Sequence, residues 1–240
     1  SYGEILDALE SFYIKNDEQQ SAEMARNHAQ EFRNMLDELD EQNVTGTGAS
    51  FNAGDGAGNH PTQTMLDLFT IMEAHGTIEG LNVVLVGDLR YGRTVHSLSH
   101  ALIRFGAELT LVSPETLMMP DEIVNDLRSS GATISESTDL VAAIPDADVI
   151  YMTRIQKERF PDEDEYAKVA GIYMLGAKDM NDAKDGMIVM HPLPRVSELH
   201  PSLDSTVNAR YFQQAFNGVP TRMALLCRSL GVEIPEEVKK

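Results

Sequence analysis

Between Leu81 and Met190, short apolar runs alternate with stretches that are apolar at helical spacing. No other feature of the chain constrains its fold as tightly. Leu81 and Val83–Val86 form a β-branched run cut off by Gly87, the pattern of a strand buried on both faces. The spacing predicts strand 83–87, helix 94–105, strand 108–112, helix 120–129, strand 132–135, helix 138–143, strand 148–152 and a last strand over 187–190. Strands separated by helices need crossovers, so the strands run parallel with helices on both faces, an α/β class.

The segment Leu81–Ser97, LNVVLVGDLRYGRTVHS, is a strand, a loop and a helix start. Open α/β sheets bind ligands beyond the carboxyl ends of their strands, and a helix N-terminus with Arg93 beside it suits an anion. Two other readings stay open here. Residues 87–94 nearly spell the phosphate-cradling P-loop, with Arg93 in the lysine's place. Alternatively, Arg93 is a solvated residue at a sheet edge. No G-x-G-x-x-G follows any strand, so neither a nicotinamide nor a flavin cofactor is expected.

Further candidates stand at other element ends. The strand at 148–152 runs into Thr153-Arg154-Ile155-Gln156-Lys157-Glu158-Arg159, delivering Arg154 and Gln156 where the first strand delivers Arg93. Two arginines at neighbouring strand ends would clamp two carboxylates bidentately; a basic surface turn is the alternative. The strand at 187–190 runs into His191-Pro192-Leu193-Pro194-Arg195. Its prolines remove two N–H donors, leaving the carbonyls about Leu193 and Pro194 to accept hydrogen bonds from an amine. His60 and Gln63 flank a helix start at Pro61, whose buried face is Met65, Leu66, Phe69 and Met72. Both side chains can hydrogen-bond a planar carbonyl or amide; a purely structural histidine is the alternative.

Composition narrows the partners. Against 38 acidic residues stand 19 basic ones, a net charge of −19, so neither nucleic acid nor an anionic membrane is expected as a partner. The acidity fits a high-salt host or simply solubility. The lone Cys227 excludes disulfide staples and suggests a reducing compartment. With no signal peptide or membrane-length apolar run, the expected location is cytoplasmic. The absence of an initiator Met suggests that something precedes Ser1. Residues 4–42 read as two amphipathic helices broken at Asn16-Asp17, and the five glycines from Gly46 to Gly58 as a flexible linker or a ligand loop. Asn208–Leu230 reads as a long amphipathic helix that needs a surface to pack on.

The motifs HPTQT, VGDLRYGRTVHSL, YMTRIQKER and MHPLPR, in this order and spacing, resemble the catalytic chain of aspartate carbamoyltransferase over roughly Phe51 to Val232. Ornithine carbamoyltransferase shares the His-Pro-Thr-Gln element but has Cys where this chain has Pro192, and lacks the TRIQKER stretch. The resemblance implies transfer of a carbamoyl group from carbamoyl phosphate to the amine of L-aspartate, a step of pyrimidine biosynthesis, without metal or organic cofactor. It implies that Arg93 binds the aspartate α-carboxylate, and Arg154 with Gln156 the side-chain carboxylate. His60 would stabilise the carbonyl oxygen, Gln63 would hold the carbamoyl NH₂, and the backbone at Leu193 and Pro194 would receive substrate polar groups. It also implies a homo-oligomer, a trimer with active sites shared between chains.

The first sixty residues depart from the family pattern. They hold no Ser-x-Arg-Thr phosphate motif, Gln19-Gln20-Ser21 stands where an Arg-His-Pro segment belongs, and Tyr2 replaces the lysine of a Lys-Gly-Glu loop. The expected division is a remnant of a carbamoyl-phosphate domain at 1–76, an aspartate-binding α/β domain at 77–211 and a C-terminal helix at 212–240. The chain is then either a piece of a longer protein or a diverged homologue. Three functions follow: a carbamoyltransferase completed by another segment or a regulatory or completing partner chain; a non-catalytic homologue that binds a dicarboxylate or serves an assembly; and a nucleotide binder through residues 87–94.

Overall fold

The structure, a computed structural model, describes residues 60–155, 160, 166, 169 and 171–230. The helices expected over 4–42, the glycine-rich stretch 46–58 and Gln156 lie outside the described residues. The described elements are α1 (Pro61–His75), β1 (Asn82–Val86), α2 (Arg93–Arg104), β2 (Glu108–Val112), α3 (Asp121–Ser129), β3 (Ile134–Ser137), α4 (Leu140–Ala143), β4 (Val149–Met152), β5 (Ile188–Met190) and α5 (Tyr211–Leu230). The five strands form one parallel sheet in the order β3-β2-β1-β4-β5, with Val84 opposite both Thr110 and Ile150.

Alternation along the strands divides the core in two. Val83, Leu85, Leu109, Leu111, Val149 and Tyr151 face a layer built from α1, α2 and α3. Val84, Val86, Val112, Ile150, Met152 and Val189 face the other way, against Leu140, Ile144, Tyr173, Leu175, Leu203 and Tyr211. A parallel sheet covered on both sides is why these strands read as continuous apolar runs.

Two boundaries move from their expected places. The strand expected at 132–135 is β3 at Ile134–Ser137, a half-exposed edge strand. The helix expected at 138–143 is the single turn Leu140–Ala143, capped by Asp139 accepting from Ala142 N–H at 3.1 Å. Pro145 then turns the chain into a 3₁₀ segment, because it cannot supply the N–H that a longer helix needs.

The long helix α5 packs along α1 through polar groups. Gln214 meets Asp67, and Asn217 donates to Thr70 Oγ1 at 3.0 Å and to Glu73 at 2.8 Å. Such a seam tolerates only matched donors and acceptors, since a buried polar group without a partner costs about 1–3 kcal/mol. No helix among the described residues is long and apolar enough to cross a membrane.

Candidate active site at the sheet switch point

From β1 the sheet runs to β2 on one side and to β4 on the other, so the crevice beyond β1 and β4 is the topological switch point. Both candidate arginines border it: Arg93 opens α2 after the β1 loop, and Arg154 follows β4. The two strand ends are stitched together. Asp88 N–H donates to Thr153 Oγ1 at 3.1 Å, and that hydroxyl donates to Val86 O at 2.8 Å. Gly87, at φ 112°, lies so close to Thr153 that a Cβ would collide with its carbonyl and hydroxyl oxygens. Only glycine meets both conditions.

A cavity of about 210 Å³ opens here, lined among others by Gly87, Thr153, Arg154, Tyr173, Ser197 and Glu198. His60, Gln63 and Arg93 are not among the residues that line it. His60 N–H donates to Ser97 Oγ, one turn beyond Arg93, at 3.0 Å. Burial, then the charges of Arg93 and Arg222, hold the His60 imidazole below its ordinary 6.5. It is therefore neutral at pH 7, and its buried Nδ1 has no hydrogen-bond partner among the described residues. A neutral imidazole beside two guanidiniums can donate one N–H to an oxygen that gains negative charge.

Gln63 is 8% exposed and donates from Nε2 to Asp67 Oδ1 at 2.9 Å, one helical turn away. Asp67 is fully buried. It also accepts from Tyr151 OH at 2.8 Å and from Gln214 Nε2 at 2.6 Å. Burial raises its carboxyl from 3.8 to about 7, against the pull of those hydrogen bonds and of Arg222.

The segment after β5 is held by an internal brace. Leu193 N–H donates to His191 Nδ1 at 2.8 Å, so that nitrogen is the acceptor and Nε2–H donates to Glu198 Oε1, also at 2.8 Å. The Glu198 carboxylate also accepts from the backbone of Val196 at 3.1 Å and of Ser197 at 3.0 Å. Burial alone would push Glu198 up; the hydrogen bonds from His191 and the backbone outweigh it and hold the carboxyl below its ordinary 4.5. With Pro192 and Pro194 lacking N–H and Leu193 N–H engaged, the segment has carbonyls rather than donors to offer. Leu193 sits at φ 48° and the Leu193-Pro194 bond is cis. Arg195 leads away from the site, forked onto Asp204 and stacked 5.7 Å from the Tyr211 ring centroid.

The loop from Gly87 to Arg93 is not a nest of open amides. The N–H groups of Gly87, Leu89, Tyr91 and Arg93 donate to Val112 O, Leu117 O, Asp88 Oδ1 and Tyr91 O, at 3.0, 3.1, 2.9 and 3.1 Å. Among the described residues no three His, Cys, Asp or Glu side chains gather as metal ligands.

The sequence reading passed over Asp67, Tyr151, Gln214, Glu198 and Arg222. For Asp67 a signal was present: a carboxylate four residues beyond Gln63, on the same face of an apolar helix.

A family model described as aspartate/ornithine carbamoyltransferase, Asp/Orn binding domain, matches residues 79–228. The aspartate carbamoyltransferase catalytic subunit of Thermococcus gammatolerans is 59% identical over 181 residues, 75% of this chain and 59% of that protein. That of Methanocella arvoryzae is 57% identical over 184 residues, covering 76% of this chain and 60% of the relative. Among solved structures, the catalytic subunit of M. jannaschii aspartate transcarbamoylase matches with a TM-score of 0.70 at 48% identity, covering 75% of this chain and 58% of that one. Trypanosoma cruzi aspartate transcarbamoylase in complex with carbamoyl phosphate and aspartate matches at 0.68 and 41% identity, covering 73% and 58%. The chain thus spans less than two thirds of the length of the curated relatives it matches.

Proposed function

Because the chain belongs to the aspartate/ornithine carbamoyltransferase family, we propose that it supplies the aspartate-binding part of an enzyme that carbamoylates L-aspartate from carbamoyl phosphate. The observation that carries this reading is the placement of Arg93 and Arg154 on either side of the switch-point crevice. Two guanidiniums delivered from neighbouring strand ends suit a dicarboxylate, each fork taking one carboxylate. Arg93 takes the α-carboxylate; Arg154, with Gln156, takes the side-chain carboxylate.

Held in this way, the amine nitrogen attacks the carbonyl carbon of carbamoyl phosphate. The new C–N bond pushes an electron pair onto the carbonyl oxygen, where the neutral His60 donates its N–H. When the tetrahedral intermediate collapses, the pair on the oxygen re-forms the C=O bond, the C–O bond to phosphate breaks with its own bonding pair going to phosphate, and the nitrogen's proton passes to the departing phosphate. Gln63 receives the carbamoyl NH₂, and the Leu193 and Pro194 carbonyls accept from substrate N–H groups. Positioning and oxyanion stabilisation supply the rate.

The domain division follows: residues 1–76 carry a remnant of the carbamoyl-phosphate part, 77–211 the aspartate part, and 212–240 the closing helix. Residues 1–60 lack the family's Ser-x-Arg-Thr motif, so the phosphate site is completed by another segment or chain, in a homo-oligomer of the trimeric kind. The engaged amides of the Gly87–Arg93 loop favour this reading over triphosphate binding. Calorimetry and thermal shift with succinate, aspartate, carbamoyl phosphate and ATP with Mg²⁺ test it. A dicarboxylate at about 100 times its Kd stabilises by about 2.7 kcal/mol, and ATP should give no shift. An ATP shift that disappears in Arg93→Ala would replace this function with nucleotide binding.

A further inference from the structure

A chain of hydrogen bonds with one direction runs from the β5 loop to Gln63. His191 N–H can only donate, and it meets Gln214 Oε1 at 2.8 Å. The Gln214 amide is thereby fixed with its NH₂ toward Asp67, where Nε2 donates to Oδ1. Tyr151 OH takes the other carboxylate oxygen. When ionised, the Asp67 carboxylate accepts and cannot donate, and in that state Gln63 presents its NH₂ to Asp67, as it does here. The Gln63 carbonyl oxygen then lies on the side of the amide away from Asp67.

We propose that Asp67 is a positioning residue that locks the Gln63 amide with its oxygen toward the ligand, and so selects a ligand group that donates a hydrogen bond. This rests on the carbamoyl-transfer reading above: the selected group is the carbamoyl NH₂, and what is rejected is an acyl phosphate with methyl in its place. A free amide could turn either edge to the ligand. One held by a buried acceptor cannot, and the loss of a single hydrogen bond is worth about tenfold in affinity. Three donors converge on a carboxylate with no exposed surface. They also tie the selecting amide to β4, which leads to Arg154, and to the loop that carries Leu193.

The test compares phosphonoacetamide with acetonylphosphonate, its methyl counterpart, by titration calorimetry at about pH 8.5, where Asp67 is ionised. The unaltered chain is expected to prefer the amide by about tenfold. Asp67→Asn, which offers an NH₂ as well as an oxygen, should bring the ratio toward one while succinate affinity stays within about twofold. A full preference in Asp67→Asn overturns the proposal. If the chain binds succinate but neither phosphonate, the phosphate site lies outside this chain, as the carbamoyl-transfer reading has it, and the Asp67 lock is decided by side-chain amide NMR. The Gln63 Nε2 protons should then be shifted downfield and slow to exchange in the unaltered chain, and should lose both properties in Asp67→Asn. Unchanged Gln63 signals in that variant overturn the lock. Should Asp67→Asn not fold, Gln63 Nε2 protons in the unaltered chain that resonate and exchange like those of an exposed glutamine overturn it as well.

Discussion

Removing the Glu198 side chain should unbrace the loop that carries Leu193 and Pro194. Glu198 is 7% exposed, and its carboxylate accepts three hydrogen bonds, from His191 Nε2 and the Val196 and Ser197 amides. Its partner His191 is 2% exposed. Glu198→Ala leaves the imidazole N–H and two amides without acceptors in a poorly hydrated place. Leaving a buried donor without its acceptor costs about 1–3 kcal/mol. Because the folded carboxyl is held below its ordinary 4.5, the stabilisation is fully present above that value and is lost as pH falls through the folded pKa. Urea unfolding at pH 7 should therefore show a drop of at least about 1–3 kcal/mol for Glu198→Ala, smaller in acid. Glu198→Gln, which keeps one acceptor oxygen, should lose less. A change below about 0.5 kcal/mol at pH 7, or a loss that does not shrink in acid, would refute the brace.

Other outcomes follow from neighbouring features. Gly87→Ala should destabilise by at least about 1 kcal/mol in a thermal melt, because a Cβ meets Thr153 at a positive φ; an unchanged Tm contradicts the close approach. The folded Asp204 carboxyl is held down from 3.8 to about 2, mainly by its hydrogen bond from Arg195. It should stay ionised in a carboxyl NMR titration until pH falls to about 2, and Asp204→Asn should remove a share of stability that is present above 3.8 and lost below it. Asp67 has the opposite sign. Burial raises it to about 7, so its contribution is most favourable below 3.8 and fades as pH rises through 7, and Asp67→Asn should flatten that limb of the pH–stability curve. The 240-residue chain alone should make little carbamoyl-aspartate in a colorimetric assay; robust turnover that depends on His60 would show that other residues bind the phosphate.

What the sequence shows and hides follows from the range of each interaction. The strand at 108–112 and the helix from Pro61 appear at their expected places, since burial of β-branched runs and a helix-starting proline are local signals. β3 was misplaced by two residues because an edge strand reading Ile-Ser-Glu-Ser carries little burial pattern. That Arg93 and Arg154 each follow a strand end is legible from the alternation, and β1 and β4 do pair. For Asp67 the sequence shows only its place one turn beyond Gln63, not its other partners. Its carboxylate is defined by Gln214, 147 residues away, and by Tyr151, 84 residues away, and no spacing rule joins helices across that distance. Glu198 is nearer to its partner, seven residues from His191, but the turn that brings them together passes through two prolines whose geometry is set by the loop itself.

The central claim is that Arg93 and Arg154 together hold a dicarboxylate at the switch point. It is tested most directly by titrating succinate into the chain and into its Arg93→Ala and Arg154→Ala variants by calorimetry. Each substitution is expected to cost about 2–5 kcal/mol of binding, the range for removing one partner of a buried charge pair. Succinate affinity unchanged in both variants would contradict the claim.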